Sequence, residues 1–154
     1  MSSGLALVVS ITIAIAAGAL GGIATSKVIP TWYAGLKKPA WNPPSWVFGP
    51  VWTVLYIMMA VAAWLVWERS GLTGLAPVFY FVQLGLNVLW SFIFFGMRKP
   101  GPAFAELVVF WLAILATMVA FWQIDPIAGL LLAPYLLWVG FAGVLNFTIW
   151  RLNG

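Results

Sequence analysis

The 154-residue sequence contains no cysteine and no histidine, and only three of its residues are acidic. Without cysteine the chain forms no disulfide, and without histidine it lacks a principal ligand of zinc. Glu68, Glu106 and Asp125 lie far apart in the sequence and suggest no carboxylate metal site. No nucleophile triad or pair of catalytic carboxylates is visible either. We therefore expect no metal centre and no required cofactor.

Charge is equally scarce, at 6% of residues, whereas 64% are hydrophobic and the mean hydropathy is +1.07. Soluble domains carry about 25% charged residues. A soluble fold of this length could not bury so much apolar surface, so lipid must be the solvent for most of it. The net charge of +4 belongs to loops and offers no soluble basic face for nucleic acid.

The apolar runs are long enough for α-helices that cross a hydrocarbon core of about 30 Å. They lack the alternation that is typical of membrane β-barrels. The first run has no preceding lysine or arginine, so we expect a membrane helix and not a cleaved signal peptide. We predict an all-α integral membrane protein, one domain of five transmembrane helices, at residues 5–28, 46–67, 76–95, 102–123 and 127–151.

A capping loop is predicted at about residues 29–45, between the first two helices. The wider segment 32–52 contains four tryptophans, four prolines and two adjacent lysines. Pro39, Pro43 and Pro44 lack an amide donor and disfavour helix in the residue before them. We predict a rigid loop with flat aromatic faces and two cations beside them.

The basic residues are distributed unevenly over the ends of the five predicted helices. By the positive-inside rule, the long loop and the C-terminus are predicted to be cytoplasmic and the N-terminus to lie outside. Which membrane holds the protein is left open. Arg69 falls on the outer side, and six basic residues fall on the inner side: Lys27, Lys37, Lys38, Arg98, Lys99 and Arg151.

Several residues inside the spans are unusual for a membrane helix. Gln83 and Asn87 should point into the bundle, because an unpaired amide facing lipid costs several kcal/mol. Glu106 lies in the first turns of the fourth helix, where the helix dipole favours a carboxylate that can reach the interface. Pro134 is expected to bend the fifth helix.

Small residues recur on the first helix, where Ala14, Gly18 and Gly22 fall four positions apart. One interpretation is close packing against another helix in the bundle. The alternative is a wall that leaves room for a flat ligand. The sequence leaves both interpretations open.

Aromatic and polar residues on three helices suggest a pocket beneath the loop. Trp52 comes from the second helix, Asn87 and Trp90 from the third, and Trp138 and Ala142 from the fifth. An apolar aromatic pocket with a few polar groups is the usual form of a small-molecule site. Core packing is the competing interpretation of such tryptophans.

The same segments carry a family resemblance that covers nearly the whole chain. They resemble the TspO/translocator protein family, also called tryptophan-rich sensory protein or peripheral-type benzodiazepine receptor. The matching motifs are Trp32-Tyr33-x-x-Leu36-x-Lys38-Pro39-x-Trp41-x-Pro43-Pro44, Trp52-Thr53-x-x-Tyr56, Gln83-Leu84-x-Leu86-Asn87-x-x-Trp90 and Pro134-Tyr135-x-x-Trp138-x-x-Phe141-Ala142-x-x-Leu145-Asn146.

The resemblance implies a five-helix bundle, usually a homodimer, with a pocket closed by the first loop. It also implies binding of porphyrins such as protoporphyrin IX and haem, of sterols, and of isoquinoline or benzodiazepine-type drugs. The leading hypothesis is a membrane receptor or carrier with a sensory or regulatory role in tetrapyrrole metabolism. The ligand-binding residues implied are Tyr33, Trp41, Pro43, Trp52, Asn87, Trp90, Trp138 and Ala142.

Two alternatives stay open beside the receptor. The resemblance links light-dependent porphyrin degradation to the tryptophans that are Trp52 and Trp138 here, which would make these two residues catalytic. The second alternative is a transporter of tetrapyrroles or sterols, although no inverted repeat is visible and intramembrane charge is scarce. Sterol binding is the weaker case, because Phe147 stands where the family's cholesterol-recognition segment has tyrosine.

Porphyrin propionates are expected to stay near the cytoplasmic interface, where Lys37, Lys38 or Arg98 would meet them. Strong axial ligands for haem iron are missing, which leaves only methionine and tyrosine. We therefore expect haem and iron-free porphyrin to bind about equally, through ring contacts.

Overall fold

The computed structural model describes all residues 1–154 and consists of helices and connecting turns, without strands. Five segments are long and apolar enough to cross a membrane, so the predicted all-α bundle of five spans is confirmed. The fifth span is divided into two helices. The helices are α1 (Ser3–Thr25), α2 (Phe48–Ser70), α3 (Ala76–Ser91), α4 (Pro100–Ile124), α5 (Pro126–Leu131) and α6 (Ala133–Asn153).

The helices pack so that space is left at one end of the bundle. α1 lies against α2 and α3, and α4 lies against α3, α5 and α6. α2 packs against α5 but makes little contact with α6, so α2 and α6 diverge towards the end that carries the loop. A cavity at the loop end follows from this divergence.

The bend predicted at Pro134 is present as a break between α5 and α6. Pro134 has no amide hydrogen to donate to the carbonyl of Leu130, one turn earlier. The amide of Leu132 instead donates to the carbonyl of Gly129 in a tighter turn, at 3.1 Å. At the start of α5, the Asp125 carboxylate accepts the amide of Ile127 at 3.0 Å and also the Arg69 side chain at 3.2 Å.

The loop begins earlier than predicted, because α1 ends at Thr25 and not at Val28. Residues Ile29–Tyr33 form one wide helical turn, in which the amide of Tyr33 donates to the carbonyl of Val28 at 3.0 Å. A short helical turn at Ser45–Val47 leads into α2.

Two contacts hold the loop down. The Lys38 ammonium group donates to the carbonyls of Tyr33, Leu36 and Ala34, at 2.8, 3.1 and 3.4 Å. The Asn153 side chain at the end of α6 bonds to both backbone groups of Lys37, at 3.0 and 2.9 Å. The second contact joins residues 116 positions apart, so the path of the loop depends on where α6 ends.

A chain of buried hydrogen bonds ties three helices together, as predicted from the inward-facing amides. The Tyr56 hydroxyl donates to Asn87 Oδ1 and Asn87 Nδ2 donates to the Tyr135 hydroxyl, both at 2.8 Å. The Tyr135 hydroxyl then donates to Gln83 Oε1 at 2.7 Å. Tyr56 belongs to α2, Asn87 and Gln83 to α3, and Tyr135 to α6.

Glu106 differs from its prediction. It was expected to reach the interface, but both carboxylate oxygens are buried and have no hydrogen-bond partner within the chain. Its position, in the second turn of α4 and packed into the bundle, accounts for the difference.

Gly129 gives a test of the packing between α4 and α5. A Cβ atom at this position would lie 2.8 Å from Trp122 Cβ and 2.9 Å from Trp122 Cα, so backbone would have to move. We expect Gly129→Ala to destabilise the protein by about 1–3 kcal/mol, measured as thermal unfolding in detergent. Gly85→Ala is the control, because a Cβ there meets nothing within 4 Å. Equal stability of the two variants would contradict the close approach.

Asn87→Leu tests the buried hydrogen-bond chain. The change leaves the Tyr56 hydroxyl without its acceptor, and an unsatisfied buried group costs about 1–3 kcal/mol. We expect a matching loss of unfolding free energy, part of which returns in the double variant Asn87→Leu/Tyr56→Phe because the stranded hydroxyl is gone. A double variant that is the sum of the two single variants would show that the pair is not coupled.

Candidate functional site

A cavity of about 510 Å³ lies at the loop end of the bundle, between α1, α2, α3 and α6. We call it the loop-side cavity. Small-molecule pockets in proteins are usually about 300–1,000 Å³. Its walls are mainly aromatic and apolar, with hydroxyl and amide groups of a few side chains among them. This combination is suited to a flat, largely hydrophobic ligand.

Six of the eight predicted ligand-binding residues line the loop-side cavity. Each long element other than α4 contributes to the wall, and the residues come from positions far apart in sequence. The predicted residues brought together are Tyr33, Trp52, Asn87, Trp90, Trp138 and Ala142.

Trp41 and Pro43 are the exceptions, because the structure places both outside the cavity wall. The Trp41 ring is 47% exposed and packs edge-on against Phe141, itself a lining residue, at 5.7 Å. The carbonyl of Pro43 accepts the side-chain amide of Asn42 at 3.2 Å. These two residues shape the loop instead of the wall.

Tyr33 forms part of the wall and anchors the loop from inside. Its ring is 3% exposed and packs against Phe95, Phe94 and Phe48 at centroid distances of 5.6, 6.3 and 6.5 Å. Its hydroxyl donates to Asn42 Oδ1 at 3.2 Å. Burial raises the pKa of Tyr33, and the hydrogen bond to Asn42 opposes the shift only in part. The hydroxyl therefore stays protonated at neutral pH.

The small-residue face of α1 serves both purposes that the sequence left open. A Cβ at Gly18 would lie 2.6 Å from the Tyr56 ring, so this glycine permits close packing against α2. A Cβ at Gly22 would meet nothing within 4 Å, so this glycine leaves open space in the cavity. Ala14 is fully buried and belongs to the packed part of the face.

Asn87 lies at the deep end of the cavity, but both polar atoms of its amide already have partners. Its Oδ1 accepts from Tyr56 and its Nδ2 donates to Tyr135. The amide therefore points into the bundle, as predicted, and pairs with α2 and α6. A ligand would therefore contact an amide that is already hydrogen-bonded to Tyr56 and Tyr135.

Trp138 lies on the cavity wall and has an unused donor. Its indole nitrogen is buried and has no hydrogen-bond partner. By contrast, the Trp90 indole donates to Asn146 Oδ1 at 3.0 Å. Buried polar groups in proteins are almost always paired, so an unpaired one at a cavity wall indicates a missing acceptor. A ligand with a carbonyl or carboxylate oxygen would supply it.

The wall also contains residues outside the predicted ligand-binding set. Tyr56 follows Trp52 by one helical turn, and this spacing was a usable signal. Phe94 and Phe95 are both buried because residues Phe92–Gly96 form a wide helical turn, which no sequence pattern indicated. Phe141 joins them on the α6 side.

The chemistry available to the cavity is narrow. Among its lining residues, the ionisable side chains are Tyr33 and Tyr56, and there is no carboxylate, lysine or arginine. General acid–base catalysis needs a group with a pKa near the working pH, and buried tyrosines are poor candidates. Ring contacts, hydrogen bonding and indole oxidation are the chemistry that the wall supports.

The segment with Phe147 lies away from the cavity. Phe147 is 41% exposed on the bundle surface and packs against Phe104 at 5.2 Å and Trp150 at 6.0 Å. A sterol recognised by this segment would sit on the outer surface of the bundle, separate from a ligand in the loop-side cavity.

Comparison with known proteins agrees with these features. The model of the TspO/MBR family matches residues 10–151. The tryptophan-rich protein TspO of Chlorobaculum tepidum is 43% identical over 153 residues, covering 97% of this chain and 96% of the relative.

Two further relatives come from a second bacterium and from human. Protein CrtK of Rhodobacter capsulatus is 43% identical over 141 residues, covering 89% of this chain and 86% of the relative. The translocator protein of Homo sapiens is 48% identical over 126 residues, covering 79% of this chain and 75% of the relative. The chain belongs to the TspO/MBR family.

Proposed function

We propose that the protein is a membrane receptor or carrier for porphyrins and other flat hydrophobic molecules, with a sensory or regulatory role in tetrapyrrole metabolism. The observation that carries this proposal is the loop-side cavity, which combines a volume of about 510 Å³ with aromatic walls and an unpaired Trp138 N–H. Membership of a family whose relatives include a sensory protein and translocator proteins supports such a role.

Binding would be driven by burial of a large ring system among the aromatic side chains. Each favourable aromatic pair adds about 0.5–1.5 kcal/mol beyond the area buried. Trp52 and Trp138 reach the cavity from α2 and α6, which makes them the natural faces for a planar ligand. A ligand oxygen near the Trp138 indole would add a hydrogen bond.

The anionic propionates of a porphyrin would meet cations at the loop end. Three basic residues were predicted as propionate contacts. Lys38 is the least available of them for a ligand, because its ammonium group already donates to three carbonyls. Lys37 and Arg98 are exposed at the same end of the bundle. We assign the propionate contacts to these two.

Haem would be held in the same way as the iron-free ring. The lining contains tyrosine but no methionine, histidine or cysteine. The tyrosine hydroxyls already bond to Asn42 and Asn87. Ring contacts would therefore supply the affinity, with little from axial ligation.

The homodimer and the orientation stay predictions. The structure puts Lys27, the loop, Arg98, Lys99 and Arg151 at one end of the bundle and Arg69 at the other. By the positive-inside rule, we propose that the loop end is cytoplasmic. Sterols are proposed as ligands of the surface around Phe147. This proposal has weaker support, because Phe147 replaces the tyrosine of the cholesterol-recognition segment.

Ala142→Leu tests the receptor function. Ala142 lines the cavity on α6, and a larger side chain would take space from a ring-sized ligand. We expect protoporphyrin IX to bind about tenfold more weakly, because overpacking costs about 1–3 kcal/mol. The measurement is quenching of tryptophan fluorescence in the dark, in lipid nanodiscs.

Ala105→Leu is the matched control for this titration. Ala105 is exposed on α4 and lines neither the loop-side cavity nor its loop. It should bind protoporphyrin IX as the unmodified protein does. If the Ala142 variant also kept its affinity, the ligand would not occupy the loop-side cavity.

Photo-oxidative degradation of porphyrin is the second candidate function, because Trp52 and Trp138 line the same cavity. An excited porphyrin in contact with an indole would accept an electron from it, and dioxygen would serve as the terminal oxidant. A passive receptor needs only the flat face of the ring, whereas this reaction needs the indole. We rank binding ahead of degradation.

The double variant Trp52→Phe/Trp138→Phe separates the two functions. Phenylalanine keeps an aromatic face, so we expect measurable porphyrin binding but no protein-dependent loss of the porphyrin absorbance band under light. The controls are Trp122→Phe, at an exposed position outside the cavity, and illumination without oxygen. Bleaching of the double variant at the unmodified rate would leave the tryptophans as walls of a receptor.

A further inference from the structure

A second cavity, of about 160 Å³, lies at the end of the bundle away from the loop. We call it the distal cavity. Its walls come from the first half of α1, the second half of α2, the first turns of α3 and Phe121 of α4. It shares no lining residue with the loop-side cavity. It is therefore a separate site.

Tyr80 lines the distal cavity, and its hydroxyl is buried without a hydrogen-bond partner. Tyr80 is 4% exposed, and its ring is held in place by stacking on Phe121 at a centroid distance of 5.9 Å. A buried hydroxyl without a partner is rare, because leaving it unpaired costs free energy. The position calls for a hydrogen-bond acceptor.

Two of the other polar side chains of the wall already have partners. The Trp64 indole donates to the carbonyl of Ser3 at 3.0 Å, and the Ser10 hydroxyl donates to the carbonyl of Ala60 at 2.7 Å. Most other lining side chains are aliphatic or aromatic. An occupant would thus be largely apolar, and the Tyr80 hydroxyl is the buried donor of the wall that lacks an acceptor.

The volume limits the occupant to a group of about one aromatic ring. An engineered protein cavity of about 150 Å³ with apolar walls stays dry and binds benzene. A porphyrin needs far more space. Access is available from the lipid side, because the lining residues Val9, Ile13 and Phe81 are partly exposed on the bundle surface.

We propose that the distal cavity is a second binding site, for a ring-sized or single-chain apolar group that carries a carbonyl oxygen as acceptor for Tyr80. Tyr80 lies four residues after the start of α3, and therefore about 6 Å along the helix axis from it. The ester carbonyl of a membrane lipid and the carbonyl of a free small molecule would both be able to reach such a position.

The test uses the full-length protein in nanodiscs of ether-linked phospholipid, which contains no carbonyl. The probe is 4-fluoroacetophenone, and its partner without the oxygen is 1-ethyl-4-fluorobenzene; binding is followed by fluorine NMR. We expect saturable binding of the ketone that is weakened about fivefold by Tyr80→Phe. The hydrocarbon should bind equally to both proteins, since the phenylalanine ring keeps the stacking on Phe121.

A second variant fills the cavity without touching Tyr80. Ala63→Leu should weaken both probes, because Ala63 lines the distal cavity. Ala105→Leu, the same substitution at an exposed position on α4, should weaken neither. Absence of saturable ketone binding, or an equal effect of Tyr80→Phe on both probes, would overturn the proposal.

Repeating the titration in ester-linked phospholipid identifies the source of the carbonyl. Weaker ketone binding there would show that the lipid ester competes for Tyr80, and the site would be a lipid site. Unchanged binding would assign it to free small molecules. Both results support a carbonyl-accepting site, and neither depends on what the loop-side cavity binds.

Discussion

Inside a bilayer no water reaches a buried hydroxyl or amide, so such a group costs free energy unless the protein or a ligand supplies its partner. The chain Tyr56–Asn87–Tyr135–Gln83 meets this requirement across α2, α3 and α6. Individual hydrogen bonds in membrane proteins are worth little, about 0.6 kcal/mol on average. Their directionality nevertheless fixes how the three helices face one another. The polar chain thereby sets the depth of the loop-side cavity, because Asn87 and Tyr56 are its deep wall.

Above this floor the loop is held by contacts that span the sequence. Asn153 binds the backbone of Lys37. The Lys38 ammonium group donates to backbone carbonyls at the end of the wide turn Ile29–Tyr33 and just after it. Lys38, which was expected from the sequence to contact a ligand, therefore stabilises the loop instead. The unpaired Trp138 N–H is informative because it is buried, and buried donors in proteins are almost always paired.

Much of the fold could be predicted because lipid imposes simple rules on sequence. Apolar runs of helical length predicted the membrane spans. The free-energy cost of an amide that faces lipid predicted that Gln83 and Asn87 point into the bundle. The predicted pocket residues that lie on helices line the loop-side cavity, since helical spacing and family motifs fix their faces. Trp41 and Pro43 lie outside its wall, because the loop's path depends on Asn153, which is more than 100 positions away from Lys37. The wide turn at Phe92 had no pattern to reveal it.

The two cavities show how similar helices produce different sites. At the loop end, α2 and α6 diverge and Gly22 leaves space, so the cavity is large and aromatic. At the distal end, α5 fills the position beside α2, and the remaining space between α1, α2 and α3 fits about one ring. The break at Leu132 is thus the feature that makes the bundle asymmetric, since it allows α5 to approach α2 while α6 moves away. A straight fifth helix would contact α2 evenly along its length, and the loop-side cavity would be narrower.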